Sequence, residues 1–131
     1  MGESDSRDSA LKCAALLYPY TIDLDEATHV AQGASMFRFA NACAGRAIET
    51  LPDIPIFLGR AGRDEMPGLN AALDRFVARL VALNRPVVFV NHATGPHAFD
   101  LFDASTAAGA VVRQTLSFLA LQLMAQAAAA S

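Results

Sequence analysis

Hydrophobic residues in this chain occur in short uninterrupted runs that alternate with segments of helical periodicity. Three such runs read CAALLY, IPIFLGR and PVVFV, at residues 13–18, 54–60 and 86–90. Continuous apolar runs of this length, bounded by proline or glycine, are typical of strands that are buried on both faces. They predict three strands of a parallel sheet.

The segments between and after these runs have the spacing of helices. Residues 68–83 give the clearest amphipathic pattern, because leucines and a phenylalanine recur every three or four residues and the charged side chains face away. Residues 34–49 and 104–126 are also predicted as helices. Alternating strands and helices predict an α/β domain with about three parallel strands and helices on both faces of the sheet.

The composition is that of a globular domain. The chain has 131 residues, of which 53% are hydrophobic and 18% charged, and its formal net charge is −3. The basic residues are scattered and form no stripe, which argues against a nucleic-acid partner. We expect a flexible polar tail at 1–9, the domain at 10–126 and an alanine-rich tail at 127–131.

Several features predict a soluble cytoplasmic protein without membrane contact. The polar, acidic N-terminus differs from a secretory signal. The apolar segment 116–130 is shorter than the roughly 20 residues that span a bilayer, and Gln122 and Gln126 interrupt it. Cys13 and Cys43 lack disulfide or metal-site spacing, so both are predicted to be buried free thiols.

Two polar loops follow neighbouring strands at the end of the sheet where parallel α/β folds bind ligands. Asp64 lies in GRAGRDE after the second strand, and His97 lies in NHATGPHAFD after the third. A single aspartate in a glycine-rich loop is commonly a turn residue. Because neighbouring parallel strands bring such loops together, Asp64 could instead accept a ring N–H from His97 and stabilise its protonated form.

Other polar residues near these strand ends have simpler interpretations. Asn91 and His92 could shape a pocket, but an ordinary role in the loop is the simpler explanation. Arg60 and Arg63 could hold a substrate carboxylate, but a solvated loop charge is the simpler explanation.

The segments PIFLGRAGRDEMPGLN and NRPVVFVNHATGPHAFD together resemble the C-terminal half of an α/β-hydrolase of the dienelactone-hydrolase-like group. The YPY at 18–20 also resembles the family's strand before the cap region. The resemblance implies that Asp64 is the acid and His97 the base of a Ser-Asp-His triad that hydrolyses a small carboxylic ester or lactone. It implies neither a metal nor an organic cofactor. It covers roughly residues 10–120, which is about half of a complete domain of this type.

A triad in this fold also needs a nucleophile on a G-x-S-x-G elbow, and the sequence contains no such motif. Ser35 precedes Asp64, as the order in this fold requires, but Phe37 occupies a position that should be small. Cys13 lies inside a predicted strand, where a thiol would be inert. The remaining candidates have no strand ahead of them: Ser4, Ser6 and Ser9. The resemblance therefore predicts a fragment, or a chain that is inactive alone.

Three interpretations of function follow. The first is the acid–histidine half of a serine hydrolase. The second is a non-catalytic binding or oligomerisation module on a degenerate hydrolase scaffold, forming a homodimer through the free edge of strand 13–18. The third is an unrelated receiver-like or nucleotide-binding domain. It is disfavoured because GRAG at 59–62 matches neither G-x-G-x-x-G nor a P-loop.

Overall fold

The computed structural model describes residues 11–19, 36 and 48–130. Within these ranges the chain forms one parallel sheet with the strand order β1-β2-β3. The strands are β1 (Ala14–Leu17), β2 (Ile56–Ala61) and β3 (Val87–His92). The α/β class and the three parallel strands predicted from the sequence are confirmed.

The helices differ from the prediction mainly at their ends. The described ranges contain a short 3-10 helix at Ile48–Thr50, α1 (Leu69–Ala82), α2 (Phe99–Phe102) and α3 (Thr106–Ala130). The predicted helices 68–83 and 104–126 correspond to α1 and α3, whereas α2 was not predicted. The alanines assigned to a tail continue α3 as far as Ala130, because alanine has the highest intrinsic helix propensity. The predicted helix 34–49 and the tail 1–9 lie almost entirely outside the described residues.

Helix α1 is flanked on both sides by residues that adopt the left-handed backbone conformation. Gly68 precedes it with φ of 75°. Asn84 follows it with φ of 56° and donates its N–H to the carbonyl of Val81 at 3.0 Å. Glycine and asparagine are the residues that enter this region at the lowest cost, so these two positions set the length of the helix.

Strand β2 lies at the centre of the sheet and its side chains alternate between two layers. Ile56 and Leu58 pack against α1, in a buried cluster with Leu73, Phe76 and Leu80. Ala61 packs on the opposite face with α2 and the start of α3. On that same face the ring centroids of Phe57 and Phe118 are 5.6 Å apart. Helices therefore cover both faces, as the uninterrupted apolar run predicted.

Strand β3 is less buried than its apolar run predicted. Val88 is 46% exposed and Phe89 is 40% exposed. Among the described residues β3 pairs only with β2, so it lies at an edge of the sheet, where a helix layer covers less of each face. The prediction of a strand buried on both faces is wrong here. The strand also extends past 90 to include Asn91 and His92, which were expected in a loop.

Helix α3 packs on the sheet only through its first half. No residue in 119–129 is fully buried. By length and composition, Thr106–Ala129 is the one helix in the described ranges that could cross a membrane, with mean hydropathy of 1.2 and 22% of the tested stretch buried. The helix is therefore longer than the apolar segment 116–130, and the prediction that it is too short to span a bilayer is wrong. Core helices of soluble proteins pass the same test, so the cytoplasmic location stays a prediction.

Candidate functional site

The structure brings Asp64 and His97 into direct contact. Nδ1 of His97 lies 2.6 Å from Oδ2 of Asp64. The carboxylate side chain is completely buried, whereas the imidazole is 38% exposed. A carboxylate only accepts hydrogen bonds, so in the neutral imidazole Nδ1 carries the proton and Nε2 keeps its lone pair. A buried acid thus orients a histidine that solvent can reach.

The acid is held by its own turn. Oδ1 of Asp64 accepts the N–H of Met66 at 2.9 Å, which is the geometry of an aspartate that closes a turn two residues ahead. The N–H of Asp64 donates to the carbonyl of Ala61, the last residue of β2, at 3.1 Å. With one carboxylate oxygen used by the turn, the other is directed at His97.

The loops that carry the two side chains are joined through their backbones. The N–H of Gly62 donates to the carbonyl of His92 at 2.8 Å, and the N–H of Arg63 donates to the carbonyl of Gly95 at 2.9 Å. A Cβ at Gly62 would lie 2.4 Å from the carbonyl oxygen of Ala93. Only glycine allows the loops to approach this closely, so Gly62 sets the separation of the acid and the base.

Tyr18 is a third side chain at this end of the sheet. It follows β1 directly, and its ring centroid lies 4.7 Å from that of His97. Its hydroxyl donates to Oδ1 of Asp100 at 2.5 Å. Burial, followed by the hydrogen bond and the negative charge of Asp100, raises the pKa of Tyr18 to about 12. In the sequence, YPY belongs only to the family resemblance, and no local feature predicts a role for Tyr18.

A second histidine–aspartate pair lies deeper in the fold. Nε2 of His92 donates to Oδ2 of Asp103 at 2.7 Å, and this hydrogen bond holds the pKa of Asp103 below its usual value. The His92 ring is buried and meets Phe99 edge to face, with centroids 5.2 Å apart. Oδ1 of Asp103 accepts the N–H of Ser105 at 2.9 Å. This pair fastens the end of β3 to the start of α3, which is a structural task.

The arginines considered for a substrate carboxylate have different positions. Arg60 points to the α1 face, where its Nε and Nη2 lie 2.8 and 3.1 Å from the two carboxylate oxygens of Asp74. Its Nη1 donates to Oδ1 of Asn91 at 3.0 Å. Arg60 and Asn91 therefore connect β2, β3 and α1 rather than lining the site. Arg63 is exposed, as a solvated loop charge would be.

Most of the nucleophile candidates lie outside the described residues: Ser4, Ser6, Ser9 and Ser35. Cys13 is a half-buried free thiol immediately before β1, and not within the strand as predicted. It lies at the amino end of β1, whereas Asp64 and His97 lie at the carboxyl ends of their strands. Four strand residues separate the two ends by on the order of 13 Å. Cys13 is therefore excluded as the partner of His97.

The two histidine–aspartate pairs predict opposite tautomers in one molecule. In the neutral imidazole form we expect the proton of His97 on Nδ1 and that of His92 on Nε2, because each aspartate accepts from a different ring nitrogen. Long-range ¹H–¹⁵N correlation spectra of the 131-residue chain distinguish the two, and His97→Gln and His92→Gln assign the signals. A proton on Nε2 of His97 would contradict the contact with Asp64.

Comparisons with protein-family models, with curated proteins and with solved structures find no match for this chain.

Proposed function

We propose that this chain contributes the acid and the base of a serine-hydrolase-type triad that acts on carboxylic esters or lactones. The observation that carries the proposal is the 2.6 Å contact between His97 Nδ1 and Asp64 Oδ2. It joins a buried carboxylate to a partly exposed imidazole at the carboxyl ends of two neighbouring parallel strands. General bases of triads need this combination of a fixed tautomer and an accessible second nitrogen.

The chemistry assigns one proton carrier and one orienting group. The hydroxyl oxygen of the nucleophile forms a bond to the ester carbonyl carbon, and Nε2 of His97 takes the hydroxyl proton as it does so. The imidazolium then gives that proton to the leaving alkoxide oxygen as the acyl–oxygen bond breaks. In the second half of the reaction water attacks the acyl group. Nε2 of His97 takes the proton of the water and then gives it to the oxygen of the nucleophile as the acyl–oxygen bond breaks. Asp64 remains ionised throughout and stabilises the imidazolium.

We propose that the nucleophile comes from polypeptide outside these 131 residues, since the chain contains no G-x-S-x-G motif. The outer edge of β1, which no other described residue pairs with, supports this arrangement. Among the described residues β1 pairs only with β2, so its other edge can accept a further parallel strand. An elbow at the carboxyl end of such a strand would face Tyr18 and His97.

The test begins with the DNA for about 150 codons upstream of Met1, a length matched to half of such a domain. We expect an in-frame or frameshifted G-x-S-x-G after an apolar strand. The protein expressed from the joined reading frame is then treated with a fluorophosphonate probe. Covalent labelling that disappears when the elbow serine is changed to alanine supports the proposal.

Labelling of the 131-residue chain alone, lost in Ser35→Ala, would place the nucleophile at Ser35 instead. Absence of both an elbow and any labelling would overturn the hydrolase proposal.

A second candidate, association through an apolar surface, is favoured by the outer half of α3. Leu121, Leu123 and Met124 are 62%, 66% and 69% exposed there. Together with the edge of β1 that is unpaired among the described residues, these side chains are the kind of surface that forms homodimers. Sedimentation of the isolated chain as a monomer with a sharp thermal transition would contradict this candidate.

A further inference from the structure

We propose that Tyr18 is a positioning residue for His97, whose ring blocks the alternative orientations of the imidazole and so keeps Nδ1 directed at Asp64. The inference deepens the proposed function, because a fixed His97 is useful only to a reaction that needs its Nε2. Its geometric part can be measured on this chain without any nucleophile.

The Tyr18 ring is itself fixed on three sides. It packs against His97 with ring centroids 4.7 Å apart and an interplanar angle of 56°. It meets Phe99 edge to face at 5.7 Å. Its hydroxyl donates to Asp100, which lies 82 residues away in sequence, at 2.5 Å. Two ring contacts and a hydrogen bond from the hydroxyl therefore restrict the movement of the Tyr18 side chain beside His97.

The backbone of Tyr18 adopts a conformation that is costly for a residue with a Cβ. Its φ is 38°, in the left-handed region that residues with a Cβ avoid. Its N–H nevertheless donates to the carbonyl of Gly59 at 2.7 Å, so the strained residue stays attached to the sheet. Such outliers persist where the surrounding structure over-determines them, and they concentrate at functional sites.

Tyr18 does not compete with Asp64 for the imidazole proton. Its hydroxyl is used by Asp100, and with a pKa of about 12 it remains neutral near pH 7. The Tyr18 ring offers His97 a steric contact and no hydrogen-bond acceptor comparable to the Asp64 carboxylate. A rotation of the imidazole that exchanged its two nitrogens would have to displace this ring. Tyr18 therefore acts on the reaction through His97.

Three variants separate the ring, the hydroxyl and the backbone strain. Tyr18→Phe keeps the ring and loses the hydroxyl, Tyr18→Ala loses the ring and keeps the strain, and Tyr18→Gly loses the ring and relieves the strain. The tautomer of His97 is read in the 131-residue chain by ¹H–¹⁵N correlation. The values of kcat and KM are read in the joined reading frame, and the His92 tautomer is the internal control for folding.

We expect Tyr18→Ala and Tyr18→Gly to give a mixture of His97 tautomers and to lower kcat about 10²-fold at constant KM, the usual effect of a misplaced group. Tyr18→Phe should lower kcat about threefold, because only a hydrogen bond is lost. The Gly variant should melt at a higher temperature than the Ala variant without regaining kcat.

A single His97 tautomer in both ring-deleted variants would overturn the proposal. A kcat that rises with the melting temperature from Tyr18→Ala to Tyr18→Gly would overturn it as well, because stability would then explain the loss of activity. The tautomer outcome is independent of the triad, because it is measured in the 131-residue chain without a nucleophile. Absence of both an upstream elbow and any fluorophosphonate labelling overturns the proposed hydrolase, whereas an unchanged His97 tautomer overturns the role of Tyr18.

Discussion

Replacing Asp64 with asparagine is expected to lower kcat for ester hydrolysis about 10⁴-fold in the joined reading frame, with little change in KM. An amide at this position can donate to the ring, which favours the wrong tautomer of His97, and it cannot stabilise the imidazolium. His97→Ala should cost at least as much, and the double variant no more than the worse single one, because the two groups act as a unit. Steady-state kinetics with a p-nitrophenyl ester measure these effects.

The second histidine–aspartate pair offers a matched control. Asp103→Asn makes the same chemical change opposite His92, where the hydrogen bond is 2.7 Å long and the histidine is buried. We expect it to lower the melting temperature and to leave kcat within a few-fold of the parent. Asp64→Asn that keeps a tenth of the activity, or Asp103→Asn that loses most of it, would reverse the assignment of the two pairs.

Replacing Gly62 with alanine is expected to lower the free energy of unfolding by about 1–3 kcal/mol, the usual cost of overpacking. The new methyl group would lie 2.4 Å from the carbonyl oxygen of Ala93, and backbone atoms cannot move aside as a flexible side chain can. The loops must separate, so the hydrogen bond between Asp64 and His97 should weaken as well. Urea unfolding followed by circular dichroism measures the free energy of unfolding.

Gly109→Ala is the control for this substitution. The nearest atom to its new Cβ is Nη1 of Arg113 at 3.3 Å, at the end of a flexible side chain. Since Gly109 lies in α3, alanine there should raise the free energy of unfolding by about 0.5–1 kcal/mol. If Gly62→Ala stabilised the protein as Gly109→Ala does, the close approach of the two loops would be wrong.

The sequence by itself determined the features that depend on local pattern. The spacing of apolar residues and the length of the apolar runs predicted the three strands and the helices α1 and α3. A buried strand or an amphipathic helix must repeat its apolar residues at a fixed spacing. The contact between Asp64 and His97 also followed, since consecutive parallel strands place their carboxyl ends side by side.

Only the tertiary structure decided which polar side chains meet across the fold. Nothing local indicates that His92 points to Asp103 while His97 points to Asp64, because the two histidines are five residues apart and their partners come from different elements. The contact of Tyr18 with Asp100 joins residues from opposite ends of the domain. The sequence allows Arg60 to bind a substrate carboxylate. In the structure Arg60 lies on the face of β2 that packs against α1, where it binds Asp74.

The exposure of β3 has the same origin. Its residues Val88 and Phe89 have the composition of a buried strand, but burial depends on what lies beside the strand, and β3 lies at an edge among the described residues. Hydrophobic pattern specifies which elements form, and the packing of distant segments then determines which side chains they bury and which they present to a substrate.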